Sequence, residues 1–331
     1  MHRFTYRRSA SAMEAVRAIA GAGPGTRFLA GGTTLYDLMK LNVETPSSII
    51  DINSLAELNA FDTSGSSELV FGALARMSDV AADPRLGRDY PALSESLWKA
   101  ASQQLRNMAS LGGNLLQRTR CAYFRGGEPF ACNKRKPGSG CAAQKGINRG
   151  HALLGGSDAC IAVYPGDLAV ALVAFDAKID VLGPNGQRTI ALEDLHREPG
   201  GTPHIETVLE PSDLIVRIRV PVTPLGRAST YHKIRDRESY AFALASAAVA
   251  LQMSGGTVLD ARIAIGGVAT RPWRASQAER ILIGRPLTSE TARSAAETAL
   301  HGARAGPDNG FRVELAVRTV VDALMIAKQR A

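Results

Sequence analysis

The sequence predicts an α+β protein in two units, on three observations. Short apolar strands mix with capped helices over residues 1–220. A turn-rich link, Pro221 to Gly226, then interrupts the chain. Beyond it strands come first and three helices follow. The units are expected at residues 1–222 and 223–331.

Each element has a local reason. Ala12, Ala15, Val16 and Ile19 lie at helical spacing behind Ser9 or Ser11 as an N-cap, and Gly21 and Gly23 close that helix. A βαβ-like opening follows: a strand over Arg27–Ala30, a turn at Gly31-Gly32-Thr33-Thr34, then a short helix with Leu35, Leu38 and Met39 on one face. Ser48–Ile52 and Leu69–Ala73 read as strands, and Met77–Val80 as a capped helix start. Residues 92–105 read as one amphipathic helix, stopped where Gly112 and Gly113 expose backbone amides. Regular structure is expected again at Ile161–Tyr164, with a helix over Asp167–Phe175. A strand at Lys178–Leu182 then turns at Gly183-Pro184-Asn185-Gly186, where Asn-Gly signals a hairpin. Leu214–Val220 alternates as a strand. In the second unit, Tyr231–Ile234, Ala241–Gln252 and Val258–Gly266 read as strands, and 273–283, 288–305 and 312–330 as helices.

A chain of 331 residues with 45% hydrophobic content excludes global disorder. The net charge of +8 suits nucleic acid, a membrane surface or an acidic partner and does not choose among them. No window approaches the roughly 18 apolar residues of a membrane span. Glu14 and Arg17 break the apolar run near the N-terminus, so the chain is expected to carry no signal peptide of its own.

The cysteines carry the first chemical signal. All four, Cys121, Cys132, Cys141 and Cys160, fall within the Arg118–Cys160 stretch, which has no sustained period of either 2.0 or 3.6. Such an excursion is organised by a ligand, zinc or an iron-sulfur cluster. The separations of ten, eight and eighteen residues contain no tight C-x₂₋₄-C knuckle, which makes zinc the weaker reading. Two glycine motifs add a second signal. Ala30-Gly31-Gly32-Thr33-Thr34 and Ser110-Leu111-Gly112-Gly113-Asn114 each offer N–H groups unobstructed by Cβ, as phosphate-binding loops do, although a single Gly-Gly is more often a plain turn. Neither a G-x-G-x-x-G nor a Walker A motif is present.

These motifs, with Ile50-Asp51, Gly72-Ala73-x-x-Arg76-x-x-Asp79, Pro165-Gly166-Asp167, Lys233-x-x-x-Arg237 and Ile265-Gly266-Gly267-Val268-Ala269, resemble in order the FAD-binding subunit of the molybdenum hydroxylases, the xanthine dehydrogenase and aldehyde oxidase family. The stretch from Gln117 through Ala143 is similar to one branch, the three-subunit bacterial periplasmic aldehyde oxidoreductases. The resemblance implies a two-subdomain FAD-binding fold of the vanillyl-alcohol oxidase type plus a C-terminal α+β domain, with a [4Fe-4S] insertion at about 118–160 held by Cys121, Cys132, Cys141 and Cys160. It further implies that Leu29, Ala30, Gly31, Gly32, Thr33, Thr34 and Leu35, with Ser110, Gly112, Gly113 and Asn114, hold the FAD pyrophosphate. Asp167 would meet flavin hydroxyls and Lys233 the isoalloxazine. Thr34 stands where the family often has Asp or Asn, which weakens a side-chain contact and leaves the backbone contacts intact.

The implied protein is an electron-transfer subunit of an enzyme that oxidises an aldehyde to its carboxylic acid at molybdenum. It does not catalyse that oxidation alone. Its partners would be a large subunit with the molybdenum cofactor, a small [2Fe-2S] subunit and an external electron acceptor, with no nucleic acid and no membrane span. Location would be the periplasm, by co-export with a partner, or the cytoplasm.

Simpler readings stand beside these. Asp167 caps the next helix, Lys233 is a surface strand residue, and Tyr231 and Tyr240 pack in strands. His151, His196, His204 and His232 serve packing or the surface, and Arg118, Arg120, Arg125, Lys134, Arg135 and Lys136 form a solvated face unless they offset a cluster's charge. The alternative function is a zinc- or iron-sulfur-containing nucleic-acid-binding regulator. It leaves the two glycine loops without purpose and offers few aromatic residues for stacking.

Overall fold

A computed structural model describes residues 1–331, in which three sheets mix with helices, as the α+β reading expects. The N-terminal sheet is parallel, with Ser48–Asp51 between Thr5–Arg8 and Thr26–Leu29. A five-stranded antiparallel sheet runs in the order Phe61–Asp62, Glu68–Gly72, Leu214–Pro221, Lys178–Gly183, Gly186–Ala191. Its last two strands form the hairpin that Asn185-Gly186 signalled, with Gly186 at φ +115°. The third sheet, also antiparallel, orders Trp273–Arg274, Thr257–Gly266, Ala245–Ser254 and Ser229–Ile234, with Phe311–Gln329 packed against it.

One short helix joins the parts. Leu168–Ala174, LAVALVA, is apolar on every face and every residue is buried. A helix with no polar face must be enclosed. Here the helix contributes to a 38-residue core that also takes Tyr231, Ala248, Ala250 and Ala264 from the third sheet. No helix is long and apolar enough to cross a membrane.

Several boundaries differ from expectation. The helix read over 92–105 is two helices, Pro91–Trp98 and Gln103–Met108, because Ala101 adopts φ +47° and Ser102 caps the second. Gly112 and Gly113 do not stop that helix; they lie inside a further one, Leu111–Leu115, whose N-cap Ser110 accepts from the Gly113 N–H at 3.3 Å. Thr5–Arg8 is a strand that gave no periodic signal, since all four residues are exposed. Ile161–Tyr164 forms no regular element. In the second unit the strand begins at Ala245 rather than Ala241. Trp273–Arg274 is an edge strand, with the helix starting at Ser276, and the next helix spans Ser289–Ala299.

Candidate cofactor sites

Two cavities hold the residues singled out by the sequence. The larger, about 850 Å³, falls in the range of roughly 300–1,000 Å³ typical of small-molecule sites. Ala30, Gly31, Gly32, Thr33, Thr34 and Leu35 line it on one side, with Ser110, Gly112 and Gly113. Leu29, Asn114, Asp167 and Lys233 are not among its lining residues.

The two glycine loops do different work. In the first, the N–H groups of Gly31, Gly32, Thr33 and Thr34 have no acceptor within the chain, and Gly32 takes φ +72°. Consecutive unpaired N–H groups in this conformation form an anion-binding concavity. The opposite side of the loop is fixed. Asn53 donates its Nδ2 to the carbonyls of Ala30 (2.9 Å) and Leu29 (3.3 Å), and Asp51 Oδ1 accepts from both nitrogens of Asn53. Burial pushes the Asp51 carboxyl up, but bonds from Tyr6 and Asn53 outweigh it and hold the group below the usual carboxylate range.

In the second loop the expected free amides are consumed. Leu111 N donates to Ala75 O, Gly112 N to Ala73 O and Asn114 N to Ser110 O. Its glycines serve close approach instead: a Cβ on Gly112 would lie 2.9 Å from that of Ala73.

The far wall came without any sequence signal. His196, Arg197 and the run His204–Pro211 close the cavity, held by the Arg197 N to Glu206 O and Val208 N to Leu195 O bonds. His196 is not a surface histidine. Its Nε2 donates to Leu115 O at 2.9 Å, its ring lies 4.4 Å from that of Tyr164, and burial pulls its pKa down to about 4. An unfolded chain titrates histidine near pH ~6.5, so between there and about pH 4 only the unfolded state carries the extra proton. Stability is then complete above pH ~6.5 and falls by about 1.4 kcal/mol per pH unit as pH drops towards 4. Denaturation midpoints across this range should lose about one proton of acid dependence in His196→Phe; an unchanged slope would refute the assignment.

Asp167 and Lys233 form a buried pair. Lys233 Nζ lies 2.9 Å from Asp167 Oδ2 and also donates to Lys99 O, while Tyr231 donates its hydroxyl to Asp167 Oδ1 at 2.6 Å. Lys233 is therefore no surface residue, and the Asp167 side chain bonds across to the third sheet rather than capping its own helix. Burial pushes the Asp167 carboxyl up, opposed by Lys233 and Tyr231. Tyr240 is exposed, at φ +54°.

The second cavity is small and lined by all four cysteines, whose thiols are free. An antiparallel bridge brings Cys132 opposite Cys141, with Gly138 and Gly140 at positive φ in the intervening turn, and another pairs Ser157 with Cys160. Most other lining residues are apolar. No three metal-ligating side chains converge at the spacing of a single ion. Four thiols around one cavity are a donor set of the kind that holds a zinc ion or an iron-sulfur cluster. Burial pushes Cys121 up to about 11 and raises Cys160.

Of the cations around this cavity Lys136 is exposed, while the other five are bonded within the chain. Arg120 and Arg125 both bond Asp37, on the helix that follows the first glycine loop. Arg118 pairs with Glu44 and Glu206, and Lys134 with Glu206 at 3.3 Å. Arg135 donates to the carbonyls of Tyr123, Phe124 and Phe130. His151, read from sequence as isolated, is buried with Nε2 3.2 Å from Cys121 Sγ. Lys134 and Ala162 line both cavities, so the two sites share a wall.

Comparison with known proteins gives a consistent result. The family described as "FAD binding domain in molybdopterin dehydrogenase" matches residues 2–223, and "CO dehydrogenase flavoprotein C-terminal domain" matches residues 229–326. The aldehyde oxidoreductase FAD-binding subunit PaoB of Escherichia coli (strain K12) is 46% identical over 333 residues, covering 100% of both chains. The carbon monoxide dehydrogenase medium chain of Hydrogenophaga pseudoflava is 30% identical, covering 90% of this chain and 86% of that one. Among solved structures, carbon monoxide dehydrogenase from Hydrogenophaga pseudoflava superposes with a TM-score of 0.78 at 28% identity, covering 100% and 99% of the two chains. Quinoline 2-oxidoreductase from Pseudomonas putida 86 gives 0.75 at 26% identity, covering 98% and 97%.

Proposed function

The chain belongs to the FAD-binding medium subunits of the molybdenum hydroxylases, and from that premise we propose that it is the FAD and [4Fe-4S] electron-transfer subunit of a heterotrimeric molybdenum-dependent aldehyde oxidoreductase. Its partners in this reading are a molybdenum-cofactor large subunit, which oxidises the aldehyde to the carboxylic acid, and a small [2Fe-2S] subunit. Electrons leave to an external acceptor. Bound FAD supplies a carrier that takes electrons singly and delivers them in pairs.

The observation that carries the reading is the wall shared by the two cavities. A site with unpaired amides suited to a pyrophosphate lies against a four-thiol site suited to a cluster, with Lys134 and Ala162 between them. The first loop, Leu29–Leu35, is assigned the pyrophosphate. Ser110, Gly112, Gly113 and Asn114 are assigned the close-packed side of the site. Asp167 and Lys233, which the resemblance places near the flavin, are assigned a supporting role, since their ion pair ties the start of Leu168–Ala174 to Ser229–Ile234. Cys121, Cys132, Cys141 and Cys160 are assigned to the cluster, and the boundary between units is placed at 222/223. Family membership favours this reading over a nucleic-acid-binding regulator.

Anaerobic purification from the native source is expected to yield flavin, iron and acid-labile sulfide in one complex with molybdenum. Recovery of a colourless zinc protein would overturn the reading. Cys160→Ser is expected to bring iron and sulfide to background while FAD content stays within about twofold of the parent, because the serine hydroxyl is a far poorer cluster ligand than a thiolate. Full iron content in that variant would remove Cys160 from the ligand set.

A further inference from the structure

Of the four thiols, that of Cys121 is the one met by another side chain. The His151 imidazole approaches its sulfur at 3.2 Å through Nε2. Cys160 receives the Ala162 N–H, at 3.5 Å. His151 lies thirty residues from Cys121 in sequence and is only 6% exposed, so this contact is a product of the fold.

The remainder of the ring defines which nitrogen carries the proton. Nδ1 is buried and has no partner in the chain. With the proton on Nδ1, a buried donor would be stranded and, with Cys121 bound to a cluster as thiolate, two lone pairs would face each other across the Nε2–sulfur contact. With the proton on Nε2, one hydrogen bond forms to sulfur and only an acceptor is left unpaired, which costs less. The imidazole therefore donates to the thiolate.

The backbone that carries the ring is also held. Arg312 donates through Nη1 to the His151 carbonyl at 2.6 Å and Asn309 Nδ2 reaches the same oxygen at 3.2 Å, both from the C-terminal part of the chain. Asn148, three residues earlier, accepts from Asp308 N and donates its own N–H to the Asp308 carboxylate. A loop clamped at both ends presents one N–H to one ligand sulfur.

We propose that His151 is a positioning residue for the cluster, fixing Cys121 and raising the cluster's reduction potential through an Nε2–H···Sγ hydrogen bond. The inference rests on the assignment of the four cysteines to a cluster. A hydrogen bond to a ligand sulfur withdraws negative charge from the cluster and favours the reduced, more negative state.

The test uses the full chain loaded with iron and sulfide, with cluster potential followed by EPR-monitored redox titration. His151→Phe keeps a ring beside Tyr123 and removes the donor, and is expected to lower the equilibrium constant for reduction about tenfold, or about 59 mV for one electron. His151→Gln, which retains an N–H, should recover part of that shift, and the flavin potential should not move. A wild-type potential in His151→Phe at full iron content would overturn the proposal. Should either variant fail to load, pulsed EPR on reduced wild-type protein labelled with ¹⁵N-histidine decides: coupling to one histidine nitrogen supports the bond and its absence refutes it. A folded, FAD-containing wild type without iron or sulfide would instead overturn the cluster assignment.

Discussion

Gly31→Ala is expected to abolish FAD binding at concentrations that saturate the parent protein. A Cβ at this position would lie 2.0 Å from the Met108 carbonyl oxygen and 2.8 Å from its carbon, both backbone atoms. The oxygen cannot retreat easily, because the Arg76 guanidinium donates to it and the following Ala109 carbonyl accepts from Met77 N. The first glycine loop must therefore move, and it carries the four unpaired N–H groups. A shift of an ångström removes most of the energy of a hydrogen bond. Two such bonds to a charged phosphate, at about 1.5–3 kcal/mol each, correspond to a loss of affinity of at least about a hundredfold. Titrating deflavinated protein with FAD, following quenching of flavin fluorescence, measures it. Gly23→Ala, where no atom lies within 4 Å of the added carbon, is the control and should bind FAD as the parent does. Gly31→Ala binding within threefold of the parent would remove the first loop from the pyrophosphate site.

The same residue shows how much of the site was legible. Gly31 and Gly32 stood out because a second Gly-Gly motif and the order of the surrounding motifs stood beside them, and the structure puts that loop at a cavity with its amides free. Ser110-Leu111-Gly112-Gly113 carried an equivalent local pattern and behaves differently. Its amides are taken by Ala73, Ala75 and Ser110, partners brought in by tertiary packing that no local motif encodes. The fold followed the same division. Long apolar strands such as Ala245–Ser254 and the C-terminal helix were legible from their patterning, while the exposed Thr5–Arg8 had no pattern to read. The break at Ala101 was hidden for another reason: a left-handed residue normally announces itself as glycine or asparagine, and here it is alanine.

Histidines and arginines were the least legible, because their role depends on what the chain folds against them. A lone histidine in a sequence is uninformative, yet His151 meets the Cys121 thiol and His196 backs the larger cavity. The arginines around the cysteines looked like a charged surface. Arg118, Arg120 and Arg125 are instead ion-paired to Asp37, Glu44 and Glu206, of which Glu44 and Glu206 line the larger cavity and Asp37 lies on the helix that follows its first loop. The cysteine excursion is thereby fastened to the elements that shape the larger cavity.

Arg312→Met is expected to destabilise the protein by about 3–5 kcal/mol, the second large effect. Arg312 is only 1% exposed and has no carboxylate partner. Its guanidinium donates instead to the carbonyls of Arg149, His151, Leu244 and Gly267. Burial and the nearby Arg149 pull its pKa down to about 10, so at neutral pH the group remains charged and all its donors remain available. Buried ion pairs can often be replaced by apolar residues of equal size because both charges leave together. That exchange is not open here, since the acceptors are backbone carbonyls, and methionine of similar length leaves them without their donor. Arg312→Lys keeps the charge and loses the planar fork, so it should recover only part of the stability. Denaturant midpoints at constant m-value measure the difference, and a loss below about 1 kcal/mol for the methionine variant would show that other donors or water replace the guanidinium. The consequence extends to the cysteine site. Two of the four carbonyls belong to the segment that ends in His151, so a variant that survives unfolding tests should also show weaker holding of the ring against Cys121, joining the C-terminal helix to the chemistry of the thiols.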